Sequence, residues 1–239
     1  MANQAEIEQY NYSVFAGSEE FTAFRTHLPV GSSALDFQAT LLDSGQPVKL
    51  SEYWKKEVVK FLVEIFLSDL EPMASKFAPK GVQFVFLYTH EAHPGENYPA
   101  HRSFEQKLAH ARAFKERLKI ERPILVDDLV GTAHKLYGSL PNMTYLIGRG
   151  GKVMFRADWT DPPTIEYALN YVLNSRARRR EGLRLAPFYA EFVGYRWNDP
   201  AKFQEGLARA GQQAVDDFAR VMQRWQKQGL RPGRIELNE

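Results

Sequence analysis

The chain has 239 residues, of which 44% are hydrophobic and 25% are charged, a balance typical of a globular protein with a buried core. It contains no cysteine, which excludes disulfide bonds, thiol catalysis and thiolate metal sites. The net charge of +2 gives no bulk attraction for nucleic acid. The segment from Ser175 onward is more basic, with 13 Lys/Arg against 8 Asp/Glu. We interpret it as a solvated helical extension and expect no nucleic-acid partner.

The hydropathy pattern predicts no membrane segment. The longest nearly apolar run covers residues 58–67, contains Lys60 and Glu64, and is far shorter than the ~20 residues of a spanning helix. The first residues lack the basic and then apolar pattern of a secretory signal. We therefore expect a cytoplasmic protein.

The first half of the chain predicts an arm, a hairpin and a strand–helix–strand unit. Residues 1–29 are polar with scattered aromatic residues, which favours a short helix or arm on the main body. Apolar residues alternate over residues 35–41 before a Gly turn, and this pattern is typical of a strand and hairpin. Branched and aromatic residues over 58–67 predict a strand buried on both faces. Helical spacing from Leu70 to Phe77, capped by Ser68 or Asp69, precedes a strand over 82–88.

The second half repeats this alternation. Ser103 can cap an amphipathic helix that reaches Leu118. The next predicted elements are a strand at 123–126, a helix at 133–137 and strands at 143–147 and 152–157 joined by a Gly-rich turn. A helix from Pro162 follows, and Asp161 can cap it. The sequence therefore predicts an α/β fold, with a central mixed sheet and flanking helices.

One further helix is predicted after Pro200, in the C-terminal extension. It carries an apolar stripe formed by Phe203, Leu207, Ala214, Phe218, Val221 and Trp225. Two interpretations are open: the stripe packs against the main domain, or it docks on a second subunit and makes a homo-oligomer.

Two local strings carry a resemblance to a known family. Residues 87–94 read Leu-Tyr-Thr-His-Glu-Ala-His-Pro, and residues 124–128 are followed by Tyr-Gly-Ser-Leu-Pro at 137–141. In this order they resemble the redoxin branch of the thioredoxin fold, particularly iodothyronine deiodinase-like and peroxiredoxin-like proteins. The resemblance runs from about Val30 to Leu173 and implies a thioredoxin-like domain at 30–174. The composition on either side predicts an N-terminal arm at 1–29 and a basic, aromatic helical extension at 175–239.

The resemblance also shows where this chain departs from the family. Those proteins carry a catalytic cysteine or selenocysteine in the loop after the strand that ends near Phe66. Here residues 67–72 run directly into the helix, so the loop is shortened and no nucleophile is inherited. The family's cis-proline, which faces the redox centre, corresponds by resemblance to Pro141.

Glu91 and His93 match the family positions beside the missing nucleophile. One hypothesis makes them a catalytic acid and base pair, in which Glu91 orients or charges the imidazole. The other makes them hydrogen-bonding residues that fix the loop. The cleft edge predicts further ligand-binding candidates, namely Ser68, His90, Pro141, Asn142 and Trp159.

The histidines raise the question of a metal. Imidazole and carboxylate groups suit zinc or iron, but His-Glu-Ala-His is one residue short of the helical zinc-protease motif. We predict no cofactor, with a metal at His90 and His93 as the alternative. We expect His110 and His134 to lie on helix surfaces.

Three functional hypotheses follow. The first is a redox-inactive binding or accessory protein with a small-molecule or protein partner. The second is a thiol-independent enzyme that uses Glu91 and His93, with or without the assistance of a metal. The third is a structural subunit of a larger assembly.

Overall fold

A computed structural model describes residues 3–17, 28–54, 57–62, 70–138, 140, 142–183 and 200–227. Its strands are β1 (Gln38–Leu41), β2 (Pro47–Lys49), β3 (Glu57–Leu62), β4 (Val82–Tyr88), β5 (Ile124–Val126), β6 (Thr144–Ile147) and β7 (Val153–Ala157). Its α-helices are α1 (Gln4–Tyr10), α2 (Leu70–Phe77), α3 (Phe104–Leu118), α4 (Thr132–Tyr137), α5 (Pro162–Arg180), α6 (Pro200–Ala210) and α7 (Gln212–Lys227). A 3₁₀ turn at Leu50–Tyr53 follows β2, and a second at Ala78–Lys80 follows α2.

The strands form one mixed sheet in the order β2-β1-β5-β4-β3-β6-β7. β3, β4 and β5 run parallel, whereas β6 is antiparallel to β3 and to β7. The β3–α2–β4 unit is the parallel crossover predicted from the sequence. The hairpin of β1 and β2 extends the sheet because β1 pairs with β5.

Helices cover both faces of the sheet. Apolar side chains of α2, α3 and α5 pack against one face, in a core that includes Phe77, Phe86 and Phe114. α4 and the first 3₁₀ turn cover the other face, in a core that includes Leu50 and Tyr137. A central β4-β3-β6-β7 order, in which β6 is antiparallel to both β3 and β7 and helices cover both faces, is a thioredoxin-like fold. The predicted fold class is confirmed.

The predicted helix caps are present where they can be described. Ser103 Oγ accepts a hydrogen bond of 3.1 Å from the Gln106 N–H at the start of α3. The Asp161 carboxylate accepts one of 3.1 Å from the Thr164 N–H at the start of α5. α5 continues across the predicted boundary at residue 175 as far as Arg180. The three-part division of the chain stays a prediction, as do Ser68 and Asp69 as caps, since both lie outside the described residues.

The prediction of one continuous C-terminal helix is wrong, because Gly211 interrupts it. Gly211 has φ +129°, a backbone conformation that favours glycine, and it separates α6 from α7. A Cβ at this position would also collide with the Glu96 side chain, whose Oε2 would stand 1.9 Å away. The break folds α6 and α7 into a helical hairpin, which we call the C-terminal hairpin.

The C-terminal hairpin packs against the rest of the chain. The Asn97 N–H donates to the Ala210 carbonyl at 2.9 Å, and the Gln213 N–H donates to Glu96 Oε1 at 3.0 Å. The ring of Phe218 stacks on Phe15 of the N-terminal arm, with centroids 6.2 Å apart. Stripe residue Phe218 therefore packs within the chain, and docking of the stripe on a second subunit stays a prediction.

None of the helices in the described ranges is both long enough and apolar enough to cross a membrane.

Candidate functional site

The site is built at the end of β4, where the chain leaves the sheet. Tyr88 is the last residue of β4, and Glu91 lies three residues further, in the loop that leads to α3. The Tyr88 hydroxyl donates a hydrogen bond to Glu91 Oε1. The same oxygen lies 3.2 Å from Nδ1 of His110 on α3 and 3.4 Å from Nε2 of His101. One carboxylate oxygen of Glu91 thus contacts three side chains, one from a strand, one from a loop and one from a helix.

Burial and these neighbours shift the pKa values of the cluster. Burial alone would raise the pKa of Glu91, but the contacts with His101, His110 and Tyr88 outweigh it and hold that pKa well below its usual range. Burial lowers the pKa of His101, although Glu91 opposes the shift. Burial, together with the Glu91 charge, raises the pKa of Tyr88 well above its usual value. At neutral pH the cluster therefore holds an ionised carboxylate beside a neutral His101 ring and a protonated phenol.

His101 is the least satisfied member of the cluster. Its side chain is fully buried, and neither ring nitrogen makes a hydrogen bond to any residue that the structure describes. The 3.4 Å contact to Glu91 is close enough for an ion pair but lacks hydrogen-bond alignment. A buried imidazole without hydrogen bonds costs free energy, so its position calls for a physical reason.

His93 lies in a cage of aromatic rings. Its ring centroid is 4.4 Å from that of Phe15, 5.7 Å from that of Phe203 and 5.8 Å from that of Phe218, each in an edge-to-face arrangement. These rings come from the N-terminal arm and from both helices of the C-terminal hairpin. His93 therefore joins the loop after β4 to the two ends of the chain.

His90 faces a different set of rings. Its centroid is 4.9 Å from that of Tyr10, the last residue of α1, and 5.3 Å from that of Tyr12, both in the N-terminal arm. It also stacks on His134 of α4, at 5.5 Å. The arm thus covers the imidazoles of His90 and His134.

A pocket opens beside the Glu91 cluster, between the loop after β4, α3 and α6. It encloses a volume of about 60 Å³. The residues that line it are Tyr88, His90, Glu91, Ala92, His93, Tyr98, His110, Phe114, Arg117, Gly206, Arg209 and Ala210. Its position at the carboxyl end of a parallel strand is where α/β sheets commonly hold ligands.

The structure brings together some of the predicted site residues. His90, Glu91 and His93 all line the pocket. Asn142 and Trp159 lie away from its lining: Asn142 is buried, and its carbonyl accepts a hydrogen bond of 3.2 Å from Thr160 Oγ1. Ser68 and Pro141 lie outside the described residues. The catalytic and ligand-binding roles given to these residues from the sequence stay predictions.

The expectation that His110 and His134 lie on helix surfaces is wrong. His134 is 2% exposed; its Nδ1 is 2.9 Å from the Tyr10 hydroxyl, and its Nε2 is 3.0 Å from the Leu140 carbonyl. The N-terminal arm covers this side of α4. The His110 side chain is 12% exposed because it turns toward Glu91.

Two residues of the site, Tyr88 and His101, are not predicted by the sequence. The apolar pattern places Tyr88 in strand β4 but does not indicate a contact with the loop. A residue at the end of a strand can contact a residue three positions later in the loop that follows. His101 stands out in the sequence only as a histidine near His93. It lies in a loop without periodicity, so no sequence signal points to its burial.

None of the family models matches the chain, and no curated protein matches it. Solved structures do resemble it. An uncharacterized conserved protein from Geobacillus kaustophilus has 21% identity and a TM-score of 0.49, over 62% of this chain and 84% of that one. A putative thiol:disulfide interchange protein DsbE from Chlorobium tepidum has 22% identity and a TM-score of 0.48, over 61% and 99%. Peroxidoxin BcpB from Mycobacterium tuberculosis has 19% identity and a TM-score of 0.47, over 62% and 98%. The fold assignment rests on the strand order and directions described above.

Proposed function

We propose that this cysteine-less protein of thioredoxin-like fold is a thiol-independent binding protein, which takes a small carboxylate-bearing organic molecule into the pocket beside Glu91. The observation that carries the proposal is the charge of the pocket. Two guanidinium groups, Arg117 and Arg209, stand on its lining, whereas Glu91 is the only carboxylate among the described lining residues. Because Glu91 is already engaged by its own neighbours, it does not neutralise these guanidinium groups, which attract an anion.

The walls of the pocket suit an organic body rather than an inorganic ion. Phe114, Ala92 and Ala210 supply apolar surface. The Arg117 guanidinium lies 5.8 Å from the Tyr98 ring centroid and 5.9 Å from that of Phe114, so aromatic faces hold it at the pocket edge. Arg209 is paired with Glu205, but this pair is exposed and therefore weakly held. An apolar wall with a few directed polar groups is the usual form of a small-molecule site.

The second hypothesis, an enzyme that uses Glu91 and His93, receives less support from the geometry. A general acid or base works best when its pKa is near the working pH, and the pKa of Glu91 is far below neutrality. The described ring contacts of His93 are with Phe15, Phe203 and Phe218. Packing between the loop and the C-terminal hairpin accounts for these contacts without proton transfer.

The third hypothesis, a structural subunit of an assembly, rests on the N-terminal arm and on five aromatic residues of the C-terminal extension, namely Phe188, Tyr189, Phe192, Tyr195 and Trp197. Phe15 of the arm stacks on Phe218 within the chain, whereas the five aromatic residues lie outside the described residues, so the hypothesis stays a prediction. Light scattering of the full chain tests the hypothesis, because an obligate assembly would persist at micromolar concentration.

The binding proposal is tested by calorimetric titration of the full chain with benzoate and phenylacetate. Benzyl alcohol and phenethyl alcohol are the matched neutral compounds. We expect the carboxylates to bind and the alcohols to bind at least about tenfold more weakly, because a charge-assisted hydrogen bond contributes about 1.5–3 kcal/mol.

Arginine variants locate the binding. Arg117→Met and Arg209→Met should each weaken the carboxylates about tenfold, since each removes one cation while keeping an apolar stem. Arg112→Met is the matched control, because Arg112 is an exposed residue of α3 outside the pocket lining. Equal binding of acids and alcohols, or an equal loss in all three variants, would overturn the proposal.

A further inference from the structure

We propose that Glu91, His101 and His110 form a binding site for a divalent transition-metal ion of the zinc class, at the floor of the pocket. This inference deepens the proposed function and rests on it, because the ion would face the same cavity. It involves a different set of ligands from the His90 and His93 pair considered from the sequence.

The distances within the cluster match those of a metal centre. Each of the three side chains offers one ligand atom, and these atoms all lie within 4.8 Å of one another. Two ligands of a tetrahedral zinc ion, each about 2.0–2.1 Å from the metal, stand about 3.3–3.4 Å apart. Glu91 Oε1 lies 3.2 Å from His110 Nδ1 and 3.4 Å from His101 Nε2. Two of the three edges are therefore already within about 0.2 Å of the required length.

His101 supplies an independent observation. Its ring is fully buried, and neither of its nitrogens makes a hydrogen bond to a described residue. Burial of a polar group without a partner costs about 1–3 kcal/mol. A metal ion between His101 Nε2 and Glu91 would give this nitrogen a partner and replace the poorly aligned contact. An isolated hydrogen-bonded cluster would leave both nitrogens unsatisfied.

The donor set selects the class of ion. Two imidazoles and one carboxylate suit zinc and its neighbours in the transition series, whereas calcium and magnesium prefer all-oxygen sites. The Tyr88 hydroxyl donates to Glu91 and so orients the carboxylate, as outer-shell partners do in metal centres. Three protein ligands leave a fourth position open in a tetrahedral site.

The open position faces the pocket. The His101 side chain is 0% exposed, whereas those of Glu91 and His110 are 21% and 12% exposed. The ion would therefore be closed off on the His101 side and accessible from the cavity. A carboxylate group of a bound organic molecule, or a water molecule, could occupy that position.

Zinc titration of the full chain tests the inference. The protein is freed of any polyhistidine tag, treated with EDTA, exchanged into chelator-free buffer and titrated with Zn²⁺ in a calorimeter. We expect one equivalent per chain. Glu91→Gln and His110→Ala should each weaken binding by about 100-fold or more, because loss of a direct ligand exceeds the 10–100-fold cost of losing an outer-shell partner. Glu116→Gln is the matched control and should leave the affinity unchanged, because Glu116 is an exposed residue of α3 outside both the cluster and the pocket lining.

A second measurement needs no substitution. In ¹⁵N spectra of the histidine rings, Zn²⁺ should shift two of the six imidazoles in the wild-type chain. This result keeps the inference testable even if a variant fails to fold. Absence of stoichiometric Zn²⁺ binding would overturn it, as would an equal loss of Zn²⁺ affinity in Glu116→Gln.

The failure of the metal site and the failure of the binding function are separable. Benzoate titration of the EDTA-treated chain reports the pocket alone, and Zn²⁺ titration without benzoate reports the cluster alone. If benzoate binds and Zn²⁺ does not, the metal inference is wrong and the binding function stands. If Zn²⁺ binds, and benzoate binds neither the EDTA-treated chain nor the Zn²⁺-loaded chain, the carboxylate proposal is wrong and the metal site stands.

Discussion

The backbone of Gly95, in the loop after β4, contacts the backbone of Ala210, the last residue of α6, and this contact joins the loop to the C-terminal hairpin. A Cβ built on Gly95 would stand 2.3 Å from the Ala210 carbonyl oxygen and 2.7 Å from its carbonyl carbon. The neighbouring Asn97 N–H donates to the same Ala210 oxygen at 2.9 Å. Only glycine fits at residue 95 while α6 keeps this position over the pocket.

We predict that Gly95→Ala releases the C-terminal hairpin. The methyl group cannot be accommodated against a backbone carbonyl, so α6 and α7 must move away from the loop. Hydrogen exchange should show loss of protection in α6 and α7, while β4 and α3 stay protected.

Gly45→Ala is the control for this prediction. Gly45 has φ +70°, and no atom lies within 4 Å of the position that an added methyl group would take. Its substitution therefore carries the backbone cost of about 1–2 kcal/mol without touching the hairpin. If Gly45→Ala exposes α6 and α7 as much as Gly95→Ala does, the effect is one of general stability and the contact is not responsible.

Lys107 is a fully buried cation, and it makes stability depend on pH. Its Nζ donates to the Asp128 carbonyl oxygen at 2.7 Å. Burial lowers the pKa of Lys107 to about 8, although the charges of Asp127 and Asp128 oppose the shift. Between pH 8 and about 10.4 the unfolded chain therefore holds more of this proton than the folded chain does, so stability rises with pH there.

We expect Lys107 to raise the free energy of unfolding by about 1–2 kcal/mol between pH 8 and about pH 9.5. Urea unfolding at a series of pH values measures it. The window ends there because buried tyrosines such as Tyr137 and Tyr145, whose pKa values burial raises, oppose the trend near pH 10 and above. Lys107→Met should remove this rise in unfolding free energy. Lys49→Met, at an exposed lysine, should leave the rise unchanged. A rise that survives in Lys107→Met would assign the effect to another group.

We predict that an Asp→Asn substitution destabilises the protein more at Asp127 than at Asp128. The buried Asp127 carboxylate accepts from the Ala133 N–H at 3.0 Å through Oδ1 and from the His134 N–H at 2.9 Å through Oδ2. Asp127→Asn turns an amide N–H₂ toward one of these donors, which should cost about 1–3 kcal/mol.

Asp128→Asn is the matched control for Asp127→Asn. The exposed Asp128 accepts from the Val130 and Thr132 N–H groups through Oδ1 alone, at 3.1 and 2.9 Å, and an amide oxygen can replace it. We expect a loss within about 0.5 kcal/mol. Urea unfolding of both variants measures the difference, and equal losses would show that the two-oxygen capping of α4 is unimportant.

Tyr88→Phe should weaken Zn²⁺ binding while the aromatic ring keeps its place in the core. It removes the hydroxyl that donates to Glu91 and leaves the ring in the core. We expect a loss of about 1–3 kcal/mol in unfolding free energy and a 10–100-fold loss in Zn²⁺ affinity. Tyr98→Phe, at another lining tyrosine, should change Zn²⁺ affinity little. Unchanged Zn²⁺ binding in Tyr88→Phe would mean that the hydroxyl does not position the carboxylate.

The sequence by itself determined the elements and their caps. Apolar spacing predicted α2 and α3, and the Ser103 and Asp161 side chains mark the helix starts that the structure shows. These features depend on interactions within a few residues, and local periodicity records such interactions directly. The complete absence of cysteine likewise needed no structure to exclude thiol chemistry.

The tertiary structure alone decided which side chains meet. One hypothesis from the sequence has Glu91 orient or charge the His93 imidazole, whereas the described contacts of Glu91 are with Tyr88, His101 and His110. The two histidines are 10 and 19 residues along the chain from Glu91, and only the path of the loop into α3 brings them to its carboxylate. Burial of His101 depends on packing between segments distant in sequence, which no local pattern encodes.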